Sequence, residues 1–255
     1  MSATLTLIPL AGFPLVIPGD DVAELIAAAL NANNLTLNEG DVLVIAQKII
    51  SKAEGRYVTL ADVEPGEEAV ALAAKTDKDP RQVELVLRES REVLRSRPGV
   101  IIVEHRNGYV HANAGIDRSN IETNARSPKV LLLPEDADRS AASIRQSLAV
   151  IFGVLPQIIV NDSFGRAWRN GTVGVAIGSA GLEPLYNQVG EKDLFDNTLE
   201  VTEAAVADEL AAAASLVMGQ AAEGIPVVLA RGAQLIAAET DSKTLLRDKS
   251  RDMFR

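Results

Sequence analysis

The sequence predicts an α+β or mixed α/β domain with a mixed β-sheet and flanking helices, and three observations carry that expectation. The run "DVLVIAQKII" (41–50) is continuously apolar over strand length, as in a strand covered on both faces. Asn107-Gly108 stands between two extended runs, a strong signal for an antiparallel hairpin. Helical and extended patterns succeed one another in irregular order, which disfavours a regularly alternating doubly wound fold.

Taken in order, "LTLIPL" (5–10) is a short strand, and "DDVAELIAAALNANN" (20–34) carries a helical apolar stripe with Asp20 or Asp21 placed to cap it. The run 41–50 is the buried strand. In "DPRQVELVLRESREVLRS" (79–96), Asp79 is an N-cap and Pro80 the first helical residue, with Val83, Val86, Leu87 and Leu94 on one side. The hairpin occupies 100–115 and a helix 136–153. Then 157–181 reads as strand, polar glycine-rich loop, strand, with the only tryptophan, Trp168, expected to pack in the core. The alanine-rich segment 202–220 is helical and "PVVLARG" (226–232) a final strand. Residues 243–255 mix both signs of charge and read as a solvated tail.

Composition narrows the chemistry. Hydrophobic residues make up 47% and charged residues 24%, ordinary for a globular protein. There is no cysteine, which excludes disulfides, thiolate metal sites and a cysteine nucleophile, and two histidines cannot build a three-histidine zinc site. The formal charge of −10 argues against a nucleic-acid surface but leaves room for one nucleotide at a local basic site. No signal-peptide pattern and no apolar run of membrane-spanning length is present, so the expectation is a cytoplasmic protein.

Three polar segments interrupt apolar elements. In "AQKIISKAEGR" (46–56), Gln47, Lys48 and Lys52 lie along or just beyond the buried strand. Solvated charges at a strand end are the plainer reading; a phosphate site is the functional one, since an ammonium neutralises phosphate oxygens well. No G-x-x-x-x-G-K-[ST] motif exists, so a P-loop is excluded. In "HANAGIDRSN" (111–120), Gly115 permits an unusual backbone turn, and Asp117 and Asn120 can point into one space as hard oxygen donors for magnesium or manganese. An Asx-turn is the alternative. In "VNDSFGRAWRNG" (160–171), Asp162 follows an apolar strand, Ser163 adds a hydroxyl, and Arg166 and Arg169 add donors suited to a carboxylate or phosphate. Two aspartates near lysines and arginines suggest metal-assisted phosphoryl chemistry, which leaves kinase, ligase and phosphohydrolase open.

Over nearly its whole length the chain resembles the coenzyme F420-0:γ-glutamyl ligase family, known as CofE. The resemblance rests on "PLAGFPLVIPGDD", "GDVLVIAQKIISKAEGR", "RQVELVLRES", "HANAGIDRSN", "DSFGRAWRNG" and "MGQAAEGIPVVLARG", in that order. It implies a single CofE-like ligase domain over residues 1–255, open to division into two subdomains, with 243–255 as a charged tail. It implies that Asp117 and Asp162 share one divalent metal, manganese or magnesium, and that Ser163 and Gln220 hold a second, with a monovalent cation as a further expectation. Implied GTP contacts are Leu10, Ala11, Gly12 and Phe13, then Gln47, Lys48, Lys52 and Asn120, then Met218, Gly219, Gln220, Ala221, Ala222, Glu223, Gly224 and Ile225. Asp117, Asp162 and Lys52 are the implied catalytic residues. The implied reaction joins L-glutamate to a carboxylate of F420-0, or of a dehydro or related form, with GTP hydrolysis through an acyl phosphate, and adds further γ-linked glutamates. The implied enzyme is a cytoplasmic homodimer, with no nucleic-acid or membrane partner. Ligation on another carboxylate acceptor, or GTP binding without catalysis, are the alternatives. Departures from the family pattern are Arg118 after Asp117, Ala167 in "GRAW", and Asp196.

Overall fold

The computed structural model describes residues 4–124 and 126–254. Its centre is a mixed sheet of five strands: β1 (Thr6–Pro9), β2 (Val42–Ala46), β8 (Gln157–Arg166), β9 (Arg169–Ala180) and β12 (Val227–Arg231), in the order β1-β12-β2-β8-β9. Only β2 and β8 run parallel; the other neighbours are antiparallel. This is the mixed α+β architecture expected. The apolar run of β2 is buried on both faces, because successive side chains of a strand alternate. Leu43 and Ile45 join one core with α1 (Val22–Ala32) and α5 (Ala137–Phe152), whereas Val42 and Val44 join another with α6 (Val206–Met218). Asp21 caps α1 through the amides of Ala23 and Glu24, and Asp136 caps α5 through that of Arg139.

A second, separate core lies between residues 60 and 132. It packs α3 (Glu67–Thr76) and α4 (Pro80–Arg88) on the sheet β4-β5-β6 (Ser90–Arg97, Val100–His105, Val110–Ala112). A small pair, β3 (Tyr57–Thr59) with β7 (Lys129–Leu131), links it to the main sheet region. The hairpin predicted around Asn107-Gly108 is β5-β6. A last two-stranded pair, β10 (Tyr186–Asn187) and β11 (Glu203–Ala204), brackets an arm that exposes Val189, Leu194, Phe195 and Val201.

Several expectations need correction. The strand beginning at Val42 stops at Ala46, and Gln47–Ala53 form the short helix α2, so Gln47, Lys48 and Lys52 sit on a helix. A continuous apolar run does not reveal where strand gives way to helix; here Ile49 and Ile50 are buried as helical neighbours. Helix α4 stops at Arg88, and Leu94 belongs to β4. Pairing with β5 and the bond from the Ser90 hydroxyl to the Val86 carbonyl override the helical spacing. The glycine-rich loop of 157–181 shrinks to two residues, because β8 and β9 form one long hairpin with Trp168 at its tip. Trp168 is therefore 88% exposed instead of core. Residues 243–254 are not a free tail: Lys249 pairs with Glu104 at 2.6 Å, and Leu246 packs on the main core.

Candidate active site

Strand β8 outruns its parallel neighbour. The register between them ends at Ala46 opposite Asn161, where β2 turns into α2, so Asp162 and Ser163 continue along an edge that β2 has vacated. A cleft opens there, at the carboxyl end of β2, the usual location of ligand sites in α/β sheets. Its volume is about 900 Å³. The α2 helix, β8 and the segment after α6 wall it, with Lys48, Lys52, Asp162, Ser163 and Gln220 on the lining.

Asp117 reaches the same place from the second core. Gly115 makes this possible: its φ is +66°, and a Cβ there would lie 2.6 Å from the His111 ring and 2.8 Å from Leu133. The chain turns in a space only glycine fits, then Asp117 pairs with Leu131 as an isolated bridge. One oxygen of Asp117 accepts from the Ser119 amide and hydroxyl, which is the Asx-turn of the plainer reading. The other meets Lys48 Nζ at 2.7 Å, and Lys48 also donates to the Ser119 hydroxyl. The turn and the site are the same structure.

The two carboxylates differ. Burial pushes the Asp162 carboxyl up to about 6, and the nearby charge of Asp117 adds to it, against the opposing Ser163 amide, Lys48 and the Gln47 side chain. Burial acts in the same direction on Asp117, but the Lys48 ammonium and the Ser119 donors outweigh it and hold that carboxyl below its ordinary range. Lys52 is pushed down by burial and by Lys48, one helical turn away. Like charges four apart on a helix cost stability, and an anion in the cleft would relieve the cost.

Several residues named from the sequence lie against one another. The Ser163 hydroxyl donates to Gln220 Oε1 at 2.8 Å, and Gln220 Nε2 donates to Ser215. Asn120, at φ +53°, donates to the Ala221 carbonyl and so ties the Asp117 turn to the loop 218–225. That loop turns at Gly219, where a Cβ would lie 2.2 Å from the Glu223 side chain. All of Met218–Ile225 line the cleft. Of Leu10–Phe13 only Phe13 does; Leu10 is fully buried, and Ala11 accepts from Asn33. Arg166 and Arg169 stand at the exposed hairpin tip, off the cleft lining.

The donor set suits a hard divalent cation: two carboxylates, a hydroxyl and an amide oxygen. The Lys48 ammonium, wedged against Asp117 and felt by Asp162, acts as a stand-in positive charge. Among the described residues no cluster of three or more His, Cys, Asp or Glu side chains converges, so water or phosphate oxygens would have to complete the shell. Sequence reading missed the Lys48–Asp117 pair, since nothing local signals an ion pair 69 residues apart in sequence. It also missed the walls formed by Pro14–Pro18, Tyr57 and Lys129.

Residues 12–232 match the family model described as F420-0:Gamma-glutamyl ligase. A coenzyme F420:L-glutamate ligase of Methanothermobacter thermautotrophicus is 47% identical over 253 residues, 98% of this chain and 99% of the relative. Proteins of the same name from Methanopyrus kandleri and Methanocaldococcus jannaschii are 46% and 42% identical, over 93% and 86% of this chain and 92% and 86% of their own lengths.

Proposed function

The chain belongs to the F420-0:γ-glutamyl ligase family, and from that premise we propose that it joins L-glutamate to F420-0 at the expense of GTP, with a divalent metal. The observation that supports the reading beyond membership is the meeting of Lys48, Lys52, Asp162, Ser163 and Gln220 on one cleft, with Asp117 bound to Lys48.

A carboxylate is a poor electrophile and must be activated. In the proposed sequence a carboxylate oxygen of F420-0 takes the γ-phosphoryl group of GTP and GDP departs. The glutamate amine then attacks the acyl phosphate, forming the amide and releasing phosphate and a proton. Lys48 and Lys52 neutralise the nucleotide phosphates as point charges, without a P-loop. Asp117 and Asp162 would hold manganese or magnesium, and Ser163 with Gln220 a second ion; when bound, such ions supply charge neutralisation at phosphate oxygens. The Gln47 side chain, buried and anchored by Ser51, holds Asp162 in place. Asn120 fixes the 218–225 loop over the nucleotide. Repetition of the cycle on the product would extend a γ-linked tail. A monovalent cation, a homodimeric state and a cytoplasmic location belong to the same proposal. No helix among the described residues is long and apolar enough to cross a membrane.

The test is incubation with F420-0, glutamate, manganese and GTP, followed by product masses. The expected result is a mass gain of one or more glutamyl units with GDP released in step. Equal turnover without GTP or in excess chelator would overturn the reading.

A further inference from the structure

The main core and the second core meet at the active site, and each carries one of its aspartates. Asp162 lies on β8, whose Val160 and Phe164 pack with the main core. Asp117 follows Ala114 and Ile116, which pack in the second. A shared cation needs the two carboxylates at a set separation, because metal–oxygen distances are narrowly defined. Polar ties cross the seam at the site, among them Lys48 to Asp117 and Asn120 to the Ala221 carbonyl, and both are partly open to solvent.

His111 crosses the same seam in the buried interior. It projects from β6 and is 5% exposed. Its ring lies 4.5 Å, centroid to centroid, from that of Phe164. Phe164 stands two residues beyond Asp162 and, by strand alternation, on the same face of β8. The Cε1 edge of His111 lies so close to Gly115, two residues before Asp117, that a Cβ there would come within 2.6 Å of it. Leu133 crowds the same point at 2.8 Å, so the turn is held from two sides. One ring thus touches the strand of one carboxylate and the turn of the other.

These are the contacts of a spacer. Burial, and then His105 beside it, push the imidazole down to about 3, so at neutral pH it brings shape without charge. Among the described residues its Nε2 meets no hydrogen-bond partner. A buried nitrogen left so is a cost that an apolar side chain of similar bulk would not carry, and packing stability alone gives no reason for an imidazole here. A flat five-membered ring does fit between Phe164 and the bare Cα of Gly115, where a branched side chain would press on one of them.

Resting on the metal-dependent ligase reading above, we propose that His111 is a positioning residue: its ring sets the separation between the Asp117 turn and the Asp162 strand, and with it the geometry in which the pair takes a divalent cation. His111 is not on the cleft lining and acts through the two aspartates.

The experiment measures manganese binding to the metal-stripped protein by calorimetry, and melting temperature under chelator. It compares wild type, His111→Ala, His111→Leu, Asp117→Asn, and each His111 variant combined with Asp117→Asn. His111→Leu keeps the bulk and removes the unpartnered nitrogen, so its melting temperature should stay close to wild type. The expected result is that both His111 variants bind manganese at least about tenfold more weakly, the scale of losing a residue that orients metal ligands. With Asp117 already replaced, either should change the remaining manganese affinity by less than about twofold, because a residue acting through Asp117 has nothing left to position. A folded His111→Leu variant with wild-type manganese affinity overturns the proposal and leaves His111 a packing residue, even where His111→Ala fails to fold. An equal loss in both backgrounds overturns it too. A wild type that takes up no manganese overturns the metal reading together with it.

Discussion

Asp117 and Asp162 carry the same side chain to one site by opposite routes. Asp117 arrives on a turn, half-exposed, with Lys48 and Ser119 already answering its charge. Asp162 arrives on the overrun of a buried strand, where the Ser163 amide and the Gln47 side chain answer it less than burial opposes it. One carboxyl is therefore held below its usual range and the other raised to about 6. The lesson is that a binding site can be half satisfied by its own lysine and half dependent on a ligand. The unsatisfied half sits on a strand and the answered half on a turn.

Three outcomes would break or sharpen that contrast. The largest concerns turnover. Asp117→Asn and Asp162→Asn should each lower ligation by about 100-fold or more, and the double variant should fall little further, because the residues act as a unit. Near-normal turnover in a folded Asp117→Asn variant would reduce Asp117 to a turn former.

The second concerns stability in the absence of metal. A carboxyl whose folded pKa of about 6 exceeds its unfolded value of 3.8 binds its proton more tightly when folded. Its contribution is greatest below the unfolded pKa and is lost as pH rises through about 6. Asp162→Asn should therefore be more stable than wild type above that pH, by on the order of 1–3 kcal/mol after allowing for partial exposure. Urea titrations between pH 4 and pH 8 under chelation measure this. Manganese should raise the wild-type melting temperature and leave the variant's unchanged. A parallel pH dependence in both proteins would refute the assignment.

The smallest effect belongs to Asp117. Its depressed pKa gives stability that is present above the unfolded value of 3.8 and lost as pH falls through the folded one, the opposite slope. Removing a partly exposed pair with Lys48 should cost about 0.5–1 kcal/mol near neutral pH. Urea midpoints of Asp117→Asn at pH 7 and pH 3 should differ from wild type at the first and converge at the second. A variant more stable than wild type at pH 7 would mean that repulsion from Asp162 outweighs the Lys48 pair.

Much of the architecture is written locally. Asp21 and Asp79 at helix starts and Asn-Gly between extended runs specify their elements by short-range physics, and these formed as read; the apolar run 41–50 formed a strand only over 42–46. The site motifs were legible as oxygen donors and lysines, and the glycine at 115 as a turn, because backbone freedom is a property of the residue itself. Local pattern failed where partners decide. The switch from strand to helix at Gln47, the early end of α4, and the exposure of Trp168 each depend on which neighbour supplies hydrogen bonds or cover.

The sequence by itself determined the donors, their order, and the turn that carries Asp117. Only the tertiary structure decided that Lys48 would meet Asp117 and that Asp162 would lie where β2 departs. It also set the His111 ring between Gly115 and Phe164. Charge and conformational preference belong to single residues, whereas burial and pairing exist only between segments that folding brings together, and these set the two aspartates apart.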